Sequence, residues 1–112
     1  MAQIKYPYGD AASSALTATG AQAITIDDSL TSIDGVTVEA TGNRTIDLTI
    51  DSAVKTGAMI LVQVKTNATE TTTFGTGITG PVITGVAGKT KSQLFVYDGV
   101  AFVASGASVQ LD

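Results

Sequence analysis

The chain is predicted to be all-β: a single small β-sandwich or jelly-roll-like domain of about eight short strands over residues 22–112, preceded by an extended N-terminal arm over 1–21. Three observations predict it. Thr, Val and Ile make up about a third of the 112 residues, and branched side chains pack well on a pleated surface but crowd a helix. From Gly20 onward apolar residues recur at every second position, the period of a half-buried strand. Clusters of Gly, Asp and Asn interrupt these runs about every 8–12 residues, as in compact all-β domains.

A chain of 112 residues supports one core, since a domain of this size buries roughly two-thirds of the surface its unfolded chain exposes. The first 21 residues, MAQIKYPYGDAASSALTATGA, sustain no period and are mostly small. Their one aromatic knot is Tyr6-Pro7-Tyr8. Proline fixes its own φ and holds Tyr6 extended, so two large rings are presented with little entropy left to lose, ready to bury against a partner. The arm is therefore expected to anchor through Tyr6, Pro7 and Tyr8.

The strands come in order. Ala23 to Ile26 ends at Asp27-Asp28-Ser29, and Val36 to Ala40 comes after Asp34-Gly35. "RTIDLTI" sets Ile46, Leu48 and Ile50 on one face, with Thr45, Asp47 and Thr49 on the solvated other. "AMILVQVKT" opens with a continuous apolar run, which predicts a central strand covered on both faces. "ETTTFGTGI" is interrupted by Gly75 and Gly77, where a bulge or corner belongs, and Pro81 limits ladder pairing beyond it. Residues 92–105 form a hairpin around Asp98-Gly99, a pair suited to the positive φ angles of a type I′ turn. Gln93, Phe95 and Tyr97 then share one side, Leu94 and Val96 the other, and Phe102, with Val100 and Val103, answers from the second arm. These residues (Phe95, Tyr97, Asp98, Gly99 and Phe102) are structural rather than reactive.

The reactive inventory is thin. The chain has no Cys and no His, which removes the commonest general base, the commonest metal ligand and any thiolate nucleophile. "GVAGKT" lacks the upstream Gly of a phosphate-binding loop, since position 83 is Ile83, and the residues after it alternate like a strand rather than opening a helix. Asp27, Asp28 and Asp34 do not match a calcium loop and instead flank turns, where Asp caps local amides. Asp47 and Asp51 are four apart, but on a strand they share no carboxylate pair. Neither enzyme nor cofactor nor metal is expected.

Formal net charge is −4, with charged residues at 14%. Residues 1–51 carry seven acids against Lys5 and Arg44, whereas residues 52–112 carry three acids against four lysines. Scattered lysines do not make a nucleic-acid surface, which needs clustered positive charge. The longest apolar run, Ala58 to Val62, is too short to span a bilayer, and the N-terminus lacks a signal peptide's apolar stretch. A Thr-rich, charge-poor skin suits a chain packed against protein.

The second half, "TTTFGTGITGPVITGVAGKTKSQLFVYDGVAFVASGASVQLD", resembles the C-terminal β-rich segments of small structural proteins of tailed bacteriophages. There a "TFG" strand, a "G-K-T" turn and an "F-x-YDG-x-x-F" hairpin recur. The resemblance spans residues 45–112. It implies a capsid auxiliary, decoration or head-fibre component on the virion exterior, made in the host cytoplasm, oligomeric, and partnered by the major capsid protein or other virion proteins. The competing expectation is a receptor- or glycan-binding fibre or adhesin module, which would present exposed aromatics to sugar faces.

Overall fold

A computed structural model describes residues 12–27 and 30–112. Eleven strands form among them: β1 (Ala12–Ala15), β2 (Gly20–Ile26), β3 (Leu30–Ala40), β4 (Arg44–Ile50), β5 (Met59–Thr66), β6 (Thr71–Phe74), β7 (Ile78–Thr79), β8 (Ile83–Thr84), β9 (Thr90–Tyr97), β10 (Phe102–Ala104) and β11 (Val109–Gln110). They make two sheets. The larger runs β1-β3-β5-β9-β10-β7 with β11 on β9, and the smaller runs β2-β4-β6-β8.

Through β6 the chain alternates between the sheets, and each strand pairs in parallel with the next but one: β1 with β3, β3 with β5, β2 with β4, and β4 with β6. Strands β1 to β6 therefore wind as a parallel coil of three turns. From β7 onward the chain closes this coil mainly with antiparallel partners, β9 on β5, β10 and β11, and β8 on β6, while β7 pairs with β10 in parallel. A jelly roll is built from antiparallel Greek keys. The expected jelly-roll connectivity is thus replaced by a parallel coil with a mainly antiparallel closure.

Side-chain alternation explains why the coil holds together. In β4 the inward positions are Arg44, Ile46 and Leu48, and in β5 they are Ile60, Val62, Val64 and Thr66. Both sheets contribute to one core, with Ile24 and Ile26 from β2, Ile33 from β3, Ile78 and Ile83 from the short strands, and Phe95 and Phe102 from the closure. Phe74 of the smaller sheet meets Phe95 of the larger edge-on, with centroids 4.8 Å apart, the geometry that ring quadrupoles favour.

Two expectations need correction. β5 is central in its sheet, but only one face is covered: Met59 is 49% exposed, and Leu61, Gln63 and Lys65 are half-buried. Residues 12–21, expected as part of an extended arm, supply β1 and the start of β2, and Leu16 between them is buried in the core. Gln22 secures that corner. Its amide nitrogen donates to Ala15 O at 2.9 Å, and its oxygen accepts from Thr17 N at 2.9 Å.

The corners of the coil stack on one another through backbone bonds. Thr41 N donates to Ala18 O and Asn67 N to Ala40 O on one side, while Asp51 N donates to Ile26 O on the other. The Gly75–Gly77 segment is the corner its glycines predict, carrying the chain from β6 to β7 in the other sheet. Gly77 has φ +76, and an added Cβ there would lie 2.7 Å from Leu48 O.

Candidate functional site

The most unusual group in the molecule is Arg44, a guanidinium 2% exposed at the first position of β4. Its strand phase explains the burial, since residue 44 shares the inward face with Ile46 and Leu48. Four backbone carbonyls from all three turns of the coil surround the head group. Nη1 donates to Val38 O at 3.1 Å and to Thr17 O at 3.5 Å; Nη2 donates to Gly35 O at 3.2 Å and to Lys65 O at 3.3 Å. Burial pushes its pKa down, and the carboxylates of Glu70 and Asp34 push it back up. An arginine so placed still carries its charge at any ordinary pH. Glycine at 35 permits the approach, because a Cβ there would stand 2.8 Å from Gln63 O and 3.1 Å from Arg44 Nη2.

Arg44 is a clamp on backbone, with no open face toward a substrate. Its phase with Ile46 and Leu48 is the signal in the sequence that points to an inward role.

The acids divide among corners. Asp34 Oδ1 accepts from Val36 N at 2.8 Å and Thr37 N at 3.1 Å, while Oδ2 accepts from the Thr37 hydroxyl at 2.5 Å. That hydroxyl, then the two amides, hold the Asp34 carboxyl below its ordinary pKa. Asp47 accepts from Thr76 N at 2.8 Å and Asp51 from Ala53 N at 2.8 Å, so both tie corners, as carboxylates beside turns commonly do. Among the described residues no three acidic side chains converge to hold a metal ion. Asp28 lies outside the described residues.

The hairpin residues sit where their alternation puts them, with one difference in the turn. Gln93 and Phe95 are buried, Tyr97 is half-buried, and Leu94 faces outward. Phe102 is fully buried and stacks on Tyr97 at 5.1 Å between centroids. The loop, however, spans residues 98–101, with Tyr97 paired to Phe102, and in it only Gly99 has positive φ. A two-residue type I′ turn would need a second positive φ at Asp98. Instead Asp98 uses its side chain, accepting from Val100 N at 2.8 Å and Ala101 N at 2.9 Å. Those amides, Ala101 first, lower its carboxyl pKa. Val100, expected to pack, is 83% exposed at the tip.

"GVAGKT" forms a turn in which Gly88 N donates to Thr66 O, and β9 comes directly after it. It offers no helix terminus to a phosphate. A half-open cavity of about 220 Å³ lies between the end of β2 and the 51–58 connection, lined by Ile26, Val54, Ala58, Ile60 and Phe102 with Asp27 and Lys55 beside them. This is below the roughly 300 Å³ at which small-molecule sites begin. Tyr6, Pro7 and Tyr8 lie outside the described residues.

One surface feature is not anticipated by the sequence pattern. On the larger sheet's outward face, register sets Met59 opposite Val96, Val96 opposite Val103, and Leu61 opposite Leu94. Met59, Leu94 and Val103 are exposed there, and Leu61 and Val96 half-exposed. Five apolar side chains thus form two adjoining rows across β5, β9 and β10 on the face away from the core. The signal lies in the run Met59-Ile60-Leu61-Val62, whose outward members the sequence places under a covering layer. No protein family, curated protein or solved structure matches the chain.

Proposed function

We propose that this chain is a non-enzymatic structural protein of a tailed-phage virion. It docks on the capsid exterior as an auxiliary, decoration or head-fibre component, in homo-oligomeric form, with the major capsid protein or a neighbouring virion protein as its partner. The observation that carries the docking half is the outward apolar face at Met59, Leu61, Leu94, Val96 and Val103. Contiguous apolar surface on a sheet is a characteristic of contact surfaces. The virion half is supported by the resemblance of residues 45–112 to small phage structural proteins. The inward guanidinium and the stacked corners supply the stiffness that repeated docking needs, since many weak contacts add on a lattice only when geometry lets them engage together.

The test is co-sedimentation of the purified protein with particles of the phage that encodes it, stripped of their own copies. Wild-type protein is expected to pellet in a fixed ratio to coat protein. The double substitution Leu94→Asp with Val103→Asp is expected to leave the fold intact and abolish pelleting. Undiminished pelleting of the double variant removes this face from the reading.

A further inference from the structure

A guanidinium carries five N–H donors, and the four carbonyls around the Arg44 head group engage only Nη1 and Nη2. The fifth donor is left over. Among the described residues two buried side-chain polar atoms have no hydrogen-bond partner, and they are Arg44 Nε and Thr72 Oγ1. The two belong to one place. In the parallel pairing of β4 with β6, Arg44 and Thr72 are partners in register, and both are buried, at 2% and 1% exposure. Paired strands lie about 4.8 Å apart, so these two side chains are neighbours on the inward face.

Thr72 is also paired with Ile83 on its other side, and an isoleucine side chain has no polar atom to offer. The hydroxyl's polar neighbour in the sheet is therefore Arg44. Leaving a buried N–H or hydroxyl dry costs enough that folded proteins ordinarily supply a partner, and where the chain does not, ordered water does. We propose that Arg44 Nε and Thr72 Oγ1 together bind one internal water molecule, which accepts from the Nε–H and bridges to the Thr72 hydroxyl.

Electrostatics selects water over a small anion. A buried guanidinium beside a hydroxyl is also a donor set for chloride, but the carboxylates of Glu70 and Asp34 already act on this cation. A further anion would meet their repulsion as well as its own desolvation cost. A neutral molecule that donates and accepts suits a pure donor on one side and a hydroxyl, which can do either, on the other. The bridge also has a structural consequence. The four carbonyls of the clamp come from β3, β5 and the corner between β1 and β2, so the water adds β6 to the elements that Arg44 ties together. The proposal stands apart from the docking face on the larger sheet.

Oxygen-17 relaxation dispersion of the solvent counts water molecules held inside a protein, and Thr72→Val removes the hydroxyl while keeping a branched side chain. The full chain carrying Thr72→Val is expected to hold one long-lived water fewer than the unsubstituted chain. Thr72→Ser, which keeps a hydroxyl, is expected to hold the original number. Urea unfolding supplies a second readout, with a sign: a dry hydroxyl gains from replacement by a methyl group, whereas one that holds the water loses. Thr72→Val is expected to raise the unfolding equilibrium constant about fivefold. An equal water count in the two chains overturns the proposal, and so does an unfolding constant at or below the original in the Val variant. Exchange of sodium acetate for sodium chloride at fixed ionic strength is expected to shift both chains alike. A chloride-specific gain in stability that Thr72→Val abolishes overturns the assignment of water.

Discussion

The coil of β1–β6 and the closure of β7–β11 solve the same problem with different means. Within the closure, the β9–β10 hairpin pairs partners near in sequence: Tyr97 meets Phe102 across a four-residue loop, and Asp98 alone caps it with two amide bonds. In the coil, paired residues lie 18 to 29 positions apart, as Ala12 with Leu30 and Ser32 with Leu61. No local turn can set that register. It is held by long-range devices, namely the Arg44 clamp, the stacked corner bonds, and Asn43, whose side-chain oxygen accepts from Thr71 N and whose carbonyl accepts from Gly20 N. The difference teaches that a polar residue at an inward strand position can do for a parallel coil what a turn does for a hairpin.

That contrast can be broken most forcefully at Arg44. Replacement by Met keeps length and removes every donor, leaving buried carbonyls of three turns without their partner. A loss of about 3–5 kcal/mol is expected, as when one side of a buried charged hydrogen-bond set is deleted. Urea unfolding measures it, and a cost under about 1 kcal/mol would reduce the clamp to a bystander. Leu16→Ala comes next, at about 2–4 kcal/mol, because this side chain is 3% exposed and its loss leaves a cavity. A near-neutral result would return residues 12–21 to the status of an arm.

Gly77→Ala probes the corner between coil and closure. Positive φ and the 2.7 Å approach to Leu48 O predict a cost of about 1–3 kcal/mol. Asp98→Ala probes the closure itself and is expected to cost less than any of these in the same urea series, because only a local, solvent-facing cap is lost. If it exceeded the Arg44 effect, the ranking of long-range over local devices would be reversed.

The smallest expected effect is a pH dependence. The folded-state pKa of Asp34 is lowered, chiefly by the Thr37 hydroxyl and then by the Val36 and Thr37 amides. A depressed carboxyl contributes stability above its unfolded pKa of about 3.9, and that contribution is lost as pH falls through the lower folded value. Thermal midpoints should therefore decline below about pH 4, and Asp34→Asn should flatten that decline while leaving the slope above about pH 5 unchanged.

How much of this was legible in the sequence divides along the same line. The hairpin's faces, the strand over 44–50, the Gly75–Gly77 corner and the rejection of a phosphate loop all rest on neighbours within a dozen residues, where alternation and turn chemistry act. The parallel pairing was not legible, because "AITI", "RTIDLTI" and "AMILVQV" alternate identically whether their partners run parallel or antiparallel. The exposed face of β5 was misread for a related reason. A continuous apolar run is compatible both with a covering layer and with a surface awaiting a partner, and composition does not separate the two. Arg44 was visible in phase with Ile46 and Leu48, yet its four acceptors are backbone carbonyls, which sequence does not display.

The central claim is docking on a virion, and copy number tests it most directly. Quantitative mass spectrometry of purified phage particles gives the ratio of this chain to the most abundant coat protein. A high and fixed ratio, the same from one preparation to the next, is what a lattice-docked component predicts. Complete absence of the chain from particles would contradict the account and favour the receptor- or glycan-binding module in its place.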